Sequence, residues 1–255
     1  MDLELTEEQQ MIRKMARDFA EKEIAPIAKE TDAEEKFPWE IIRKMAALGF
    51  LGLPFPEEYG GAGADNVSLA IVMEEIARVC GSTAITLDAH TSLCCEPIYL
   101  FGSEAQKQKY LPKLCSGEWI GAFGLTEPGA GSDAGATKTR AVRDGDEWVI
   151  NGQKCFITNG SIADVIVVTA MTDPQRGSRG ISSFIIEKGT PGFRLGRDEE
   201  KMGLKGSVTS ELFFENCRIP AENLLGKENG GFKQFLILSL IHISEPTRPL
   251  YISYA

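Results

Sequence analysis

The period of the hydrophobic pattern changes near Trp119, and that change bounds the fold. Before it, apolar residues recur at helical spacing: Met11, Met15 and Phe19, flanked by Ile12 and Ile24, form one stripe. Thr6 with Gln9, and Ser103 with Gln106, have the spacing of capping boxes, in which paired side chains satisfy the free donors of a helix start. Pro26 is expected to kink or end the first helix, because it lacks an N–H and its ring crowds the preceding turn. Pro38 suits the first turn of a second helix, which stops at Gly49. Asp65 or Asn66 can cap a third helix over 67–79, stopping near Gly81. A fourth runs to about Phe101, and a short fifth follows Ser103. After Trp119, Asp144-Gly145 and Asn151-Gly152 read as turns, and 165–169, 183–187, 193–197 and 211–215 as short strands. This order predicts an α+β chain: an all-helical domain over 1–119, a β domain over 120–229, and a remainder over 230–255. In that remainder Gly230-Gly231-Phe232 opens a new helix, and Pro246 and Pro249 break it.

Composition narrows the function classes. A formal net charge of −10 argues against nucleic acid or an anionic membrane as partner, and an anionic ligand would need a local positive site. No run approaches the roughly 18 apolar residues of a membrane span. The acidic start Met1-Asp2-Leu3-Glu4 has neither signal-peptide nor transit-peptide character, so a cytoplasmic location is expected. Six cysteines without a CxxC pair and only two histidines make a zinc site unexpected. Buried, inert thiols are expected instead, and His90 reads as a satisfied core histidine.

The most informative stretch is 124–133, GLTEPGAGSD. Gly129 and Gly131 let backbone approach a ligand closely, and Thr126 and Ser132 offer hydroxyls. By these residues alone a surface turn and a binding loop are equally open. Strands rather than a helix follow, so this is no dinucleotide fingerprint; no GK[ST] follows, so it is no P-loop.

The longer run FGLTEPGAGSDAGA at 123–136 resembles the flavin-loop signature of the acyl-CoA dehydrogenase family. LTEEQQMIRKMARDFA near the start, PEEYGGAGAD at 56–65 and FGSEAQKQKYLPKLCSGE at 101–118 are similar to the family in the same order. So are VINGQKCFITNG at 149–160, ISSFIIEKGTPGF at 181–193 and ENCRIPAENLLG at 215–226. The likeness covers roughly residues 1–236 and is greatest to short-chain, butyryl-CoA-type bacterial members, with the isovaleryl-CoA type also similar over 177–226.

The resemblance implies a helical N-terminal domain, a β-barrel-like middle domain and a C-terminal four-helix bundle, the last absent from this chain. It implies FAD as cofactor, an acyl-CoA substrate dehydrogenated at its α and β carbons, electron-transfer flavoprotein as acceptor, and a homotetramer. Phe123, Gly124, Leu125 and Thr126 would form the wall and hydrogen-bonding edge under the flavin pyrimidine ring. Gly131 and Ser132 belong to the same loop, and Ser132 would touch both the flavin pyrophosphate and the substrate's pantetheine. Phe156, Ile157 and Thr158 would lie beside the isoalloxazine. Glu127, Pro128 and Asp133 are assigned to shaping the turn, and Arg176, Arg179 and Lys188 to solvated loops. The family's glutamate base comes from one of two places: a helix after Gly231-Phe232, where this chain reads Ile241-His242-Ile243, or a loop later still. No catalytic residue is therefore expected in this chain, which should be inactive as it stands. The likeness fails from about Ile237; SLIHISEPTRPL at 239–250 reads like translated adapter sequence, and Glu245 as an accidental carboxylate. A non-catalytic binding module and an oxidase-type flavoenzyme are the competing readings.

Overall fold

Helices fill the chain to Cys115 and strands begin at Gly121 in the computed structural model, which describes residues 4–241. Both capping boxes form. Thr6 Oγ1 accepts from the Gln9 N–H at the start of α1 (Glu7–Phe19), and Ser103 Oγ accepts from Gln106 at the start of α7 (Glu104–Cys115). The buried side of α1 carries Gln9, Ala16 and Phe19, whereas Met11 and Met15 stay exposed. The inward stripe is thus rotated by one position from the predicted one, toward α4 (Asn66–Ala77), against which α1 packs. The helix capped by Ser103 is longer than expected, with Pro112 inside it.

Pro26 does not end the first helix. A π-helical turn, Ala20–Ile24, precedes α2 (Ala25–Ala33), and the Ala25 N–H donates to Ala20 O, one residue further back than in an α-helix. The wider turn places Pro26 in the first turn of α2, where a missing N–H costs little. The same device recurs downstream. α5 (Gly81–His90) passes through a π turn, Thr91–Cys95, into α6 (Glu96–Phe101), with Pro97 in the first turn of α6. Between them, α3 (Trp39–Ala47) ends at Gly49, and Asp65 caps α4 by accepting from the Ser68 N–H.

The second half is an eight-stranded mixed sheet. Its strands are β1 (Gly121–Gly124), β2 (Arg140–Asp144), β3 (Glu147–Thr158), β4 (Val165–Met171), β5 (Ile181–Glu187), β6 (Phe193–Asp198), β7 (Thr209–Pro220) and β8 (Leu224–Leu225). The hydrogen-bonded order is β6-β7-β3-β2-β4-β5-β8, with β1 parallel to β4. The continuous apolar run of β4 follows from burial on both faces. Asp144-Gly145 makes the expected β2–β3 hairpin turn. Asn151-Gly152 does not turn: it is a bulge inside β3, where the register with β7 shifts. Gly152 has φ 151°, and a Cβ there would lie 2.5 Å from Thr139 Oγ1, so the close crossing of β2's approach requires glycine.

His90 joins the two halves. Its Nδ1 accepts from the Gly121 N–H at 3.0 Å and its Nε2 donates to Leu114 O at 3.1 Å, which fixes a neutral tautomer. Burial holds its pKa down to about 4. All six cysteines are buried free thiols, and burial pushes Cys94 and Cys115 up to about 12. Beyond β8, α8 (Gly231–Ile241) leans on β5, with Gly231 so close to Ser182 that a Cβ would lie 2.6 Å from its carbonyl carbon. Among the described residues no helix is long and apolar enough to cross a membrane. His242, Ile243, Glu245, Pro246 and Pro249 lie outside the described residues.

Candidate functional site

β1 delivers the glycine-rich loop alongside β3. Past Gly124 the chain leaves β4, and Thr126 O accepts from the Cys155 N–H at 2.9 Å. Residues 124–126 therefore run beside 154–156. The next four residues close a tight turn in which Glu127 and Ala130 exchange N–H to C=O bonds, each 3.0 Å.

Glu127 then clamps the rest of the loop. Its carboxylate accepts from the Lys138 N–H at 2.7 Å and the Thr139 N–H at 3.0 Å, and from Lys154 Nζ at 2.8 Å. Burial pushes this carboxyl upward, but the Lys154 charge and these hydrogen bonds outweigh it and hold the group below its usual range. Lys154 is fully buried, and its Nζ also donates to Leu125 O at 2.9 Å and Thr169 Oγ1 at 3.2 Å. Burial lowers its pKa to about 8 despite the carboxylate beside it.

Sequence reasoning missed Lys154. Strict alternation would place residues 154 and 156 on one face of β3. A second bulge, between Lys154 and Ile157, separates them: Lys154 turns inward, while Phe156 turns out with 64% of its surface exposed. Phe156 has φ 57°, the left-handed region, which costs an aromatic residue on the order of 1 kcal/mol or more. No residue pattern in 154–157 signals this second bulge, which shows only in the pairing with β7.

The sequence-predicted residues fall into two groups. Leu125 and Thr126 are half-buried at the loop edge, Gly124 is buried, and Phe123 packs partly against the core under β4. Across from them stand exposed Phe156, buried Ile157 and half-buried Thr158. The Thr126 N–H has no acceptor among the described residues. Gly131 and Ser132 are exposed further along the loop. Ser132 lines a cleft of about 480 Å³ together with Asp133, Ser178 and the α8 residues Phe232, Phe235 and Leu236. The arrangement offers a free backbone donor beside an outward aromatic face, and a hydroxyl in the lining of an open cleft of mixed polar and apolar walls.

Models of two successive domains match this chain: "Acyl-CoA dehydrogenase, N-terminal domain" over residues 6–118 and "Acyl-CoA dehydrogenase, middle domain" over 122–217. This chain belongs to the acyl-CoA dehydrogenase family. It is 55% identical over 232 residues to the short-chain specific acyl-CoA dehydrogenase of Clostridium acetobutylicum, covering 91% of this chain and 61% of that one. The solved butyryl-CoA dehydrogenase of Megasphaera elsdenii is 47% identical with a TM-score of 0.91, over 93% of this chain and 63% of that one. A chain solved in work on the electron transferring flavoprotein of Acidaminococcus fermentans is 54% identical, TM-score 0.91, with the same coverage. This chain thus spans about three-fifths of the length of the relatives it matches.

Proposed function

We propose that this chain forms the flavin-loop side of an FAD-dependent enzyme that dehydrogenates short or branched acyl-CoA thioesters between the α and β carbons. The carrying observation is the Leu125–Thr126 edge, with its free N–H, set beside an aromatic residue held outward in a strained conformation. Backbone strain at a site of this kind marks a constraint that packing alone does not require. These residues fit a flavin: the Thr126 N–H suits a ring carbonyl oxygen, and Phe156 suits a flat ring face. Bound there, FAD supplies the acceptor for the hydride that leaves the β carbon. Ser132 orients the thioester arm and pyrophosphate in the cleft, whose far wall is formed by Phe232 and Phe235.

We place no general base among the described residues. Glu127 is committed to Lys154 and two backbone donors and cannot reach out of the loop. The region of Ile241-His242-Ile243, and Glu245, lie at or beyond the edge of what the structure describes. Electron-transfer flavoprotein as acceptor, a homotetrameric whole protein and a cytoplasmic location complete the proposal.

The test is a titration of the 255-residue chain with FAD, then anaerobic addition of butyryl-CoA and isovaleryl-CoA. Weak, saturable FAD binding that weakens further in Phe156→Ala supports the reading, and no bleaching of the flavin is expected. Absence of saturable binding, or equal affinity in Phe156→Ala, sinks the proposed flavin site. Bleaching that disappears in Glu245→Gln would put a base in the chain after all.

A further inference from the structure

We propose that Lys154 is a positioning residue for the flavin edge, holding the Leu125–Thr126 peptide so that the Thr126 N–H faces the site. The proposal rests on the flavin reading above only for the identity of the ligand, not for the geometry.

The three donors of the Lys154 ammonium go to three acceptors: Glu127 Oε1, Leu125 O and Thr169 Oγ1. Two of these serve the loop's own closure. Glu127 already holds Lys138 and Thr139, and Thr169 Oγ1 donates onward to Gly124 O. The bond to Leu125 O does something else. In a planar trans peptide the C=O and the following N–H point in opposite directions. A Leu125 carbonyl directed inward at Lys154 therefore sends the Thr126 N–H outward. Thr126 O is fixed in turn by the Cys155 N–H. The peptide is held on both sides, yet its own N–H has no protein acceptor among the described residues. A backbone donor anchored this firmly and left free is one reserved for a ligand.

The bulge at Lys154/Ile157 makes the same point from the strand side. It sends one side chain of β3 under the loop and the next but one out beside it, so the anchor and the aromatic face are set by one distortion. A charged partner also polarises the peptide, which strengthens its N–H as a donor. When a bound flavin is reduced, negative charge grows on its pyrimidine edge, and a fixed donor there favours the reduced form.

The decisive variant is the double substitution Lys154→Met with Glu127→Gln, which removes both charges together and so leaves neither buried alone. Two measurements are made on the full chain. The first is amide hydrogen exchange at Thr126 without ligand. Once Lys154 is gone the inward Leu125 carbonyl is an orphan, so the peptide turns and the Thr126 amide slows about tenfold, as its N–H moves inside. The second is the ratio of affinities for reduced and oxidised FAD, expected to fall about tenfold with loss of one hydrogen bond to a charged oxygen. Near-ultraviolet circular dichroism checks that the double variant folds. If it does not fold, Glu127→Gln with Lys154→Gln, which retains a donor over Leu125 O, must restore both folding and open exchange at Thr126, or the proposal fails. Unchanged exchange in a folded double variant overturns the positioning role whatever the ligand. Slowed exchange with no saturable FAD binding by the unsubstituted chain upholds the positioning role and removes flavin as the ligand.

Discussion

Glu75 and Glu127 are both almost completely buried carboxylates, one in each half of the molecule, and they are partnered in opposite ways. Glu75, on α4, accepts from Arg13 Nε at 3.0 Å and from Arg17 at 2.9 and 2.7 Å, both arginines reaching in from α1 with their other sides in water. The Arg17 hydrogen bonds hold its pKa down at about 2, against the opposing effect of burial. Glu127 faces a lysine with no exposed surface at all. The first pair staples two helices, and its cations keep much of their hydration. The second pair places two charges in a dry interior, where desolvation consumes most of the attraction between them. Such a pair is a poor way to gain stability and an effective way to fix a backbone, because each charge demands its hydrogen bonds in full.

This contrast can be broken most directly at Glu127. Glu127→Ala leaves Lys154 buried without its counter-charge and frees the Lys138 and Thr139 N–H groups. A loss of about 3–5 kcal/mol in urea denaturation is expected. A loss below about 1 kcal/mol would mean that water reaches Lys154 and that the two carboxylates are not different in kind.

His90 extends the comparison to a group buried in its neutral form. The unfolded imidazole binds a proton near 6.5 and the folded one only near 4, so protons favour the unfolded chain. Its contribution, on the order of 3 kcal/mol, is complete above pH 6.5 and is lost as pH falls toward 4. His90→Gln keeps one acceptor and one donor but cannot titrate. Denaturation curves at pH 7, 6, 5 and 4 should show a shallower decline in that variant; equal slopes would refute the assignment.

At Glu75 the expected effect is smaller. Glu75→Gln should cost about 1–2 kcal/mol, because the freed arginines turn to water. Its folded pKa is depressed, so its contribution is present above the ordinary value of 4.5 and is lost as pH falls through about 2. The wild-type advantage over Glu75→Gln should therefore vanish in that acid window, and its persistence at pH 2 would contradict the staple.

The smallest effect is expected at Phe156. Phe156→Gly relieves a left-handed backbone and removes an exposed ring, so the free chain should gain up to about 1 kcal/mol while losing flavin affinity. A destabilised variant would show that the ring packs onto the fold rather than serving a ligand.

Several features were legible in the residues alone. The capping boxes at Thr6 and Ser103 announce their helices because a short side chain and a Gln three residues on satisfy the same local donors wherever they occur. The break between helices and strands shows in the change of period, and the family in a run of motifs. The Asp144-Gly145 turn was local and therefore readable. Asn151-Gly152 was not: the same dipeptide chemistry serves a turn or a bulge, and the pairing of β3 with β7, with Thr139 too close to Gly152 for any Cβ, decides between them. The π turn before Pro26, which lets the helical path continue into α2 rather than end there, was not legible either. The sequence alone determined which half is helical, which half is stranded and which loop carries the glycines, because those depend on neighbours in the chain. Only the tertiary structure decided that Lys154 lies under Leu125, that Phe156 faces out and that His90 grips Gly121. Those contacts join residues 29 to 31 positions apart or depend on a bulge set by β7, and no local pattern encodes them.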